Sequence, residues 1–281
     1  MKLVHRGKVK DVYETQDGNL LFHFSDRISA FDVIMDSLIP KKGEVLCRFA
    51  EFWFNKLEMS NHMIKTVDND KILVKKLQMI PIESIVRGYF YGSFVDRYND
   101  LNGKCKSLLP RSFRPILATK LPYSIFDPTT KSEDHDQEII EKEIVPNILS
   151  KKDYDFLKKT SLKLYDDMSK LLDACGFIIS DVKFEFGIDE KGNIQLADSL
   201  GPDEYRLWLK HTYTPGVRQD SYDKQLLRDW LINSGFKKKV DDLSLRNKKP
   251  KPPTLPTDII NKISQRYIYA YEKISGRNFY A

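Results

Sequence analysis

The stretch from residue 181 to 208, DVKFEFGIDEKGNIQLADSLGPDEYRLW, constrains the fold of this chain more than any other. Its charged side chains Asp181, Lys183 and Glu185 alternate with valine and phenylalanine. This spacing of two is typical of a strand with one buried face. The letters DEKGN follow as a turn, so a β-hairpin is expected. Because solvent-facing strands seldom carry an acid, a base and an acid in a row, this face is a candidate site.

The composition limits the kind of protein. With 281 residues, 41% of them hydrophobic, the chain is long enough for one large core or two smaller cores in contact. No apolar run approaches the roughly 20 residues of a membrane-spanning helix, and the first residues lack the apolar middle of a secretory signal, so no membrane partner is expected. The cysteines Cys47, Cys105 and Cys175 lie far apart, which predicts packing roles in a reducing, cytoplasmic compartment.

The charge balance gives weak evidence about partners. The net charge is +6, from 46 basic and 40 acidic residues. Nucleic-acid binders usually cluster their basic residues more sharply, and a small anionic ligand explains the excess equally well. We therefore expect small-molecule substrates and no nucleic-acid partner.

Hydrophobic spacing divides the chain into a β-rich first part and a larger α/β part. Short alternating runs separated by turn residues predict strands in the first part, around one amphipathic helix. The other predicted segments are, in order, a helix at 44–59, a loop-like stretch with four prolines at 110–135, a helix at 153–175, a helix ending at Gly235 and a helix at 257–276. We predict an α+β fold with two lobes, residues 1–80 and 81–281.

The segment GKVKDVYE near the N-terminus is a candidate phosphate-binding edge. On a strand, Lys8 and Lys10 point to the same side, and Gly7 lets the backbone approach a ligand. Two ammonium groups beside a glycine suit the phosphates of a nucleotide. The alternative is an ordinary solvated strand edge. No P-loop sequence occurs in the chain.

The hairpin offers oxygen ligands for magnesium. Mg²⁺ takes one or two protein carboxylates together with phosphate oxygens. Glu185 and Asp198 are a candidate pair, if the hairpin register brings them together, and Lys183 is placed to hold a phosphate oxygen. Asp203 and Arg206 follow a Gly-Pro turn, where loops present polar groups. The alternative is a surface hairpin with cross-strand ion pairs of little energetic value.

Two further segments carry groups suited to an anionic substrate. Arg87 and Ser93 flank two glycines in IVRGYFYGS, and a guanidinium with a nearby hydroxyl suits a phosphate monoester. The alternative for Arg87 is a structural ion pair. Ser29 and Asp32 lie around a turn of small residues. His135 stands between two aspartates, but no second histidine or cysteine is near, so zinc is rejected.

Six segments, in this order, resemble the SAICAR synthetase family: GKVKDVYE, SDRISAFDVIMD, KKLQMIPIESIVRGYFYGS, DVKFEFG, GPDEYRLW and YDKQLLRDWL. The resemblance implies a ligase that joins L-aspartate to the carboxylate of carboxyaminoimidazole ribonucleotide (CAIR), with ATP cleaved to ADP and phosphate. This reaction makes the succinocarboxamide of de novo purine synthesis. The resemblance also implies a β-rich N-terminal lobe and a larger α/β lobe, similar to ATP-grasp ligases, with the nucleotide between them.

The residue types fit that implied reaction. A carboxylate is a poor electrophile, and transfer of the γ-phosphoryl group to it gives a reactive acyl phosphate. Phosphoryl transfer needs positioning and charge neutralisation more than a protein nucleophile. The candidate residues suit such a mechanism, because they are lysines, arginines and carboxylates and include no Ser-His or Cys-His arrangement.

Carried over position by position, the resemblance assigns four sets of residues. The nucleotide set is Lys8, Lys10, Lys76, Leu77, Gln78 and Met79. The substrate set is Ser29, Asp32, Arg87, Ser93, Lys131, His135 and Asp136. The catalytic set is Asp181, Lys183, Asp203 and Arg206. The magnesium set is Glu185 and Asp198.

The sequence departs from the family pattern at two places, and other functions stay open. Ser199 stands where the family usually has an acid after Asp198, and Glu204 and Tyr205 replace small hydroxyl residues. One alternative function is a ligase of this fold that acts on another carboxylate and amine. A second is a non-catalytic nucleic-acid-binding module, suggested by the positive charge. The oligomeric state is not determined, and a homodimer is one candidate.

Overall fold

A computed structural model describes residues 1–100, 103–131, 137–145, 147–244 and 250–281. Its strands, in chain order, are β1 (Lys2–Arg6), β2 (Lys10–Glu14), β3 (Leu20–Phe24), β4 (Arg27–Ala30), β5 (Val33–Leu38), β6 (Met63–Asp68), β7 (Lys71–Val74), β8 (Gln78–Met79), β9 (Ile82–Tyr89), β10 (Lys120–Phe126), β11 (Thr129–Thr130), β12 (Phe177–Ile188), β13 (Ile194–Ala197) and β14 (Tyr205–Leu209). The helices are α1 (Lys42–Lys56), α2 (Ser93–Asn99), α3 (Glu141–Ile144), α4 (Lys151–Ala174), α5 (Gln225–Asn233), α6 (Phe236–Ser244) and α7 (Thr257–Ser275), with short 3₁₀ helices at Lys104–Leu108 and Lys210–Thr212.

The chain forms two compact units that are not continuous in sequence. The first unit consists of Met1–Lys76, Ser199–Asp203 and Ser221–Ala281, and the second unit consists of Leu77–Asp198 and Glu204–Asp220. The predicted α+β class is confirmed, since antiparallel sheets and separate helices build both units. The boundary predicted at residue 80 stays a proposal, but the C-terminal helices group with the first unit.

The first unit is built on an antiparallel sheet in the order β1-β2-β3-β7-β6. The predicted helix at 44–59 is present as α1, and it packs on β3 and β7. Its buried apolar stripe includes Leu46, Phe49, Trp53 and Phe54, at the spacing that the sequence predicts. Helix α7 also packs against α1, which explains why the end of the chain belongs to this unit.

The second unit is built on a sheet with the path β10-β9-β12-β13, to which β8, β11 and β14 add. Strand β12 is 12 residues long and pairs with β9 along its middle, with β14 near its start and with β13 at its end. Helix α4 packs on β12, β9 and β10. It begins after Ser150, whose hydroxyl accepts a hydrogen bond from the backbone N–H of Asp153 at 3.1 Å.

The predicted hairpin is confirmed, but its burial differs from the expectation. Strands β12 and β13 pair with Glu185 opposite Ala197 and Ile188 opposite Ile194. Asp189 closes the turn by accepting hydrogen bonds from the backbone of Lys191 and Asn193. The expectation of a single buried face is wrong, because most residues on both faces of β12 are buried. Asp181 and Glu185 are therefore buried as well.

Two other segments differ from the sequence-based prediction. The loop predicted at 110–135 contains β10, although Pro122 lies within it. Because β10 is the last strand of its sheet path and its register shifts between Lys120 and Ile125, a residue without an N–H is tolerated there. Helix α6 was not predicted. Among the described helices, none combines the length and apolar character that a membrane crossing requires.

Candidate active site

One cluster in the second unit combines three carboxylates and two ammonium groups, and we call it the acid–lysine cluster: Glu83, Lys131, Lys183, Glu185 and Asp198. The Lys183 ammonium donates to Glu185 Oε1 at 2.7 Å and to Glu83 Oε1 at 2.9 Å. Lys131 pairs with the other oxygen of Glu185. The cluster forms because Lys183 and Glu185 of β12 lie on the same face of the sheet as Glu83 of β9, while Asp198 follows β13 with a left-handed φ of 62°.

The groups of this cluster hold each other in the charged state. Burial lowers the pKa of Lys183, but Glu185 and Glu83 outweigh burial and raise it well above its ordinary value. Burial and the charge of Asp198 raise the pKa of Glu185, whereas Lys183 and Lys131 lower it, and the net pKa is below normal. Lys183 therefore stays an ammonium group and Glu185 stays a carboxylate in this cluster.

A second group of charged residues lies around Asp181, two residues before Lys183, where β12 pairs with both β9 and β14. Asp181 is opposite Arg87 of β9 and opposite Arg206 of β14. Arg206 Nη1 donates to Asp181 Oδ1 at 2.7 Å, while the buried Oδ2 has no hydrogen-bond partner in the described structure. Gly92 is needed here, because its φ of 61° and ψ of −146° are open to few other residues, and a Cβ at that position would also lie 2.6 Å from the Arg206 guanidinium.

Arg87 is 2% exposed and has two polar neighbours. Its Nε donates to Asp127, and its Nη2 donates to the Ser93 hydroxyl at 3.4 Å. The sequence placed Arg87 and Ser93 together, and the structure does bring them together. It also supplies the ion pair that was the alternative explanation for Arg87, since Asp127 and Arg97 complete the group.

The lysines near the N-terminus, Lys8 and Lys10, lie in the first unit, but they are not on one strand as the sequence predicted. Strand β2 begins only at Lys10, so Lys8 is in the bend before it, and the prediction that one strand carries both lysines is wrong. Lys8 pairs with Asp32, whose φ is 59°. The Lys10 ammonium is 4.6 Å from the centre of the Phe22 ring and 3.5 Å from the Ser199 hydroxyl. Ser29 is buried in β4.

The predicted nucleotide segment is a strand only in part. Lys76 is exposed and pairs with Glu14 at 2.7 Å. Gln78 and Met79 form β8, which pairs with Ile188 and Gly187 at the end of β12. Gly187 allows this close pairing, because a Cβ there would be 2.7 Å from the Cβ of Leu77. Met79 is exposed, so one side of this segment is open to solvent.

Asp203 lies in a buried network of the first unit. Its Oδ2 accepts from Lys42 at 2.8 Å and lies 3.4 Å from the Lys224 ammonium, and its Oδ1 accepts from the Tyr267 hydroxyl at 2.8 Å. Burial raises the pKa of Asp203, but Lys224 and Lys42 outweigh burial and hold it far below its ordinary value. Both oxygens of Asp203 therefore already have partners.

Several residues of these groups were missed by sequence reasoning: Lys42, Glu83, Arg97, Asp127, Lys224 and Tyr267. Glu83 had a signal, because it lies four residues before Arg87 on β9, and an even spacing places both side chains on the same face of a strand. The others had none, since each meets its partner through long-range contacts. His135 and Asp136 lie outside the described residues. Within the described part of the chain, no group of three or more His, Cys, Asp or Glu side chains is arranged to hold a metal ion.

Comparisons with known proteins agree on one family. The model of the SAICAR synthetase family matches residues 3–243. The phosphoribosylaminoimidazole-succinocarboxamide synthase of Nitrosopumilus maritimus is 51% identical over 279 residues, covering 99% of this chain and 100% of the relative. That of Corynebacterium ammoniagenes is 38% identical, covering 98% and 95%. The SAICAR synthase of Saccharomyces cerevisiae, solved in complex with SAICAR, is 34% identical with a TM-score of 0.85, covering 100% and 97%. The chain belongs to the SAICAR synthetase family.

Proposed function

We propose that this chain is an ATP-dependent carbon–nitrogen ligase that joins L-aspartate to the carboxylate of CAIR and releases SAICAR, ADP and phosphate. The observation that carries this proposal is the charged, buried face of β12. Three charged residues of this strand form ion pairs with other segments: Asp181 with Arg206, Lys183 with Glu83, and Glu185 with Lys131. Burying so many charges is costly unless they are mutually paired, and such paired sites are typical of anion and metal chemistry. Relatives over the whole chain carry the name of this activity.

The reaction proceeds in two steps. An oxygen of the CAIR carboxylate attacks the γ-phosphorus of ATP, and ADP leaves with the electron pair of the broken P–O bond. The amine nitrogen of aspartate then attacks the acyl carbon and loses a proton, and inorganic phosphate leaves. The protein contributes positioning and charge stabilisation rather than a nucleophile. Lys183 stays protonated because its pKa is raised, and its positive charge stabilises the transferred phosphoryl group.

Nucleotide and substrate contacts follow from the residue types. Lys8 and Lys10 bind the phosphates of ATP. The segment 76–79 lines the adenine, and because β8 is only two residues long, backbone groups of the other residues in this segment are available to bind it. Arg87 and Ser93 bind the phosphate of CAIR, because a guanidinium and a hydroxyl already face each other there. The remaining substrate groups are oriented by Asp181, Arg206, Asp203, Ser29, Asp32 and Lys131.

Magnesium fits the acid–lysine cluster. Mg²⁺ prefers oxygen ligands and needs only one or two carboxylates when phosphate oxygens complete its shell. Glu185 and Asp198 supply that number, and a cation bound between them would relieve the repulsion by which Asp198 raises the pKa of Glu185. When bound, the ion neutralises charge on the phosphates of ATP.

Two broader proposals accompany this function. The enzyme works in the cytoplasm, because its cysteines are free and Cys47 and Cys105 are buried. It acts either as a monomer or as a homodimer, and equilibrium sedimentation distinguishes the two by mass.

The direct test is release of ADP, measured with ATP, Mg²⁺, L-aspartate and CAIR together and with each omitted. We expect ADP only when all are present, and SAICAR in equal amount. Replacing CAIR by other carboxylates, or aspartate by other amino acids, tests a ligase with different substrates. ADP release from another pair, with none from CAIR and aspartate, would refute the proposal.

A binding module is tested separately. Such a module would bind polynucleotides with a strong dependence on salt and would release no ADP. We expect the opposite result in both measurements.

A further inference from the structure

Asp127 is outside every set of residues assigned to the site, yet it contacts Arg87 directly. Arg87 is opposite Ile125 in the pairing of β9 with β10. Asp127 comes two residues after Ile125, so it lies on the same face of the sheet as Arg87. Its backbone N–H donates to the carbonyl of Ile85 at 2.8 Å, and β11 pairs with β9 just beyond it. The position of this carboxylate is therefore fixed by the sheet on both sides.

The carboxylate contacts one edge of the guanidinium. Asp127 Oδ2 accepts from Arg87 Nε, while Arg87 Nη2 is directed to the Ser93 hydroxyl at 3.4 Å. A guanidinium has five N–H donors in a planar fork, so holding the Nε edge determines the direction of the two terminal nitrogens. The ring of Phe94, 5.3 Å from the guanidinium carbon, supports the group from one face.

A second arginine shares the same oxygen. Arg97 Nη2 also donates to Asp127 Oδ2, and Arg97 lies four residues after Ser93 on α2. Glu138, whose Oε1 is 3.5 Å from Arg97 Nη1, is a second carboxylate of the neighbourhood, and no contact joins it to Arg87 in the described structure.

We propose that Asp127 is a positioning residue that directs the terminal nitrogens of Arg87 toward the phosphate of the substrate. This inference rests on the proposed function, because it takes the phosphate of CAIR as the ligand of Arg87 and Ser93. The ion pair and phosphate binding are compatible, because Asp127 contacts only the Nε of Arg87 and leaves the terminal nitrogens for the phosphate.

Electrostatics and positioning predict opposite effects of removing this carboxylate. Asp127 carries a negative charge close to the phosphate site, so charge removal alone would strengthen phosphate binding. Loss of the fixed Nε contact would instead let the guanidinium rotate and would weaken binding. The sign of the change in KM for CAIR therefore separates a positioning residue from a simple neutralising charge.

The experiment compares Asp127→Asn with Glu138→Gln as matched control. Both substitutions remove one negative charge near Arg97, but only the first replaces the charged partner of Arg87 by an amide, which is a weaker acceptor and carries an NH2 group that repels a guanidinium N–H. We expect Asp127→Asn to raise the KM for CAIR about tenfold, equal to about 1.4 kcal/mol, with the KM for ATP unchanged and kcat within about twofold. We expect Glu138→Gln to leave the KM for CAIR within about twofold. An unchanged or lowered KM for CAIR in Asp127→Asn overturns the proposal.

Two additional measurements distinguish the proposal from misfolding of the variant and from a mistaken assignment of CAIR as the substrate. Asp127→Glu keeps the charge but lengthens the side chain, so we expect a raised KM for CAIR with a melting temperature near that of the wild type. An unchanged KM in this variant also overturns the proposal. Ribose 5-phosphate, titrated by calorimetry, probes the phosphate site without any chemistry, and we expect about tenfold weaker binding in Asp127→Asn. If CAIR is not a substrate, this titration still decides the role of Asp127, and equal binding to both proteins refutes it.

Discussion

Replacing Asp203 by asparagine tests the buried network of the first unit. In the native chain, the Lys42 side chain is 0% exposed and its ammonium lies 2.8 Å from Asp203. Lys224 and Tyr267 contact the same carboxylate. Asparagine keeps the size of the side chain but removes the negative charge, so Lys42 retains a buried positive charge without an opposite one at this place.

The expected cost follows from the burial of the pair. Removing one partner of a buried ion pair typically destabilises a protein by about 3–5 kcal/mol, because the other charge is left uncompensated. At roughly 2 °C per kcal/mol for a chain of this size, the melting temperature should fall by about 6–10 °C. Urea unfolding at pH 7, followed by tryptophan fluorescence, measures the free energy of unfolding directly, with Trp53 buried in the same unit.

Two further variants show whether the charge is the cause. Adding Lys42→Met to Asp203→Asn removes the uncompensated ammonium, so the double variant should be more stable than Asp203→Asn alone. Asp155→Asn breaks the exposed pair with Lys151, in which both side chains are more than half exposed, and should leave stability unchanged. A loss below about 1 kcal/mol in Asp203→Asn, or no recovery in the double variant, would refute the reasoning.

The dependence on pH has a definite sign. The pKa of Asp203 is lower in the folded protein than in the unfolded chain, where it is about 3.9. The ionised carboxylate therefore stabilises the fold at every pH above the unfolded pKa. This contribution is lost as pH falls through the folded pKa. The stability difference between wild type and Asp203→Asn should thus be constant from pH 5 to 8 and shrink only in strong acid.

The remaining predictions concern the metal site, a glycine and the cysteines. Glu185→Gln should lower magnesium-dependent ADP release by about 100-fold or more with an unchanged circular dichroism spectrum; an unaltered rate would argue against Glu185 as a magnesium ligand. Gly92→Ala should displace Arg206 and raise the KM for CAIR, while Gly18→Ala, whose Cβ meets no neighbour, serves as a control for positive φ. Burial raises the pKa of Cys47 to about 12 and of Cys105 to about 11, so iodoacetamide at pH 8 should modify Cys175 first, as read by mass spectrometry; equal labelling of Cys47 would contradict this.

The structure also connects two departures from the family pattern to specific contacts. Ser199, which replaces an acid, has its hydroxyl 3.5 Å from the Lys10 ammonium. Tyr205, which replaces a small residue, is buried at the start of β14, and the carbonyl of Glu204 accepts from the backbone N–H of Lys183 at 2.9 Å.

Local features of the fold follow from the sequence alone. The alternation at 181–186 determined β12, and DEKGN determined the turn with its glycine at positive φ. The apolar stripes determined α1, α4 and α7 to within a few residues. These predictions succeed because side-chain periodicity and turn chemistry depend on neighbours in sequence. The six family segments determined the family for the same reason, since each is a short motif readable without coordinates.

Only the tertiary structure decided which groups meet. The register that places Asp181 between Arg87 and Arg206, and the burial of β12 on both faces, depend on strands distant in sequence. Asp127 shows the limit most clearly, because a lone aspartate before a proline gives no local sign of its partner Arg87, 40 residues away. Pairing and burial are properties of contacts between segments, and a pattern within one segment does not contain them.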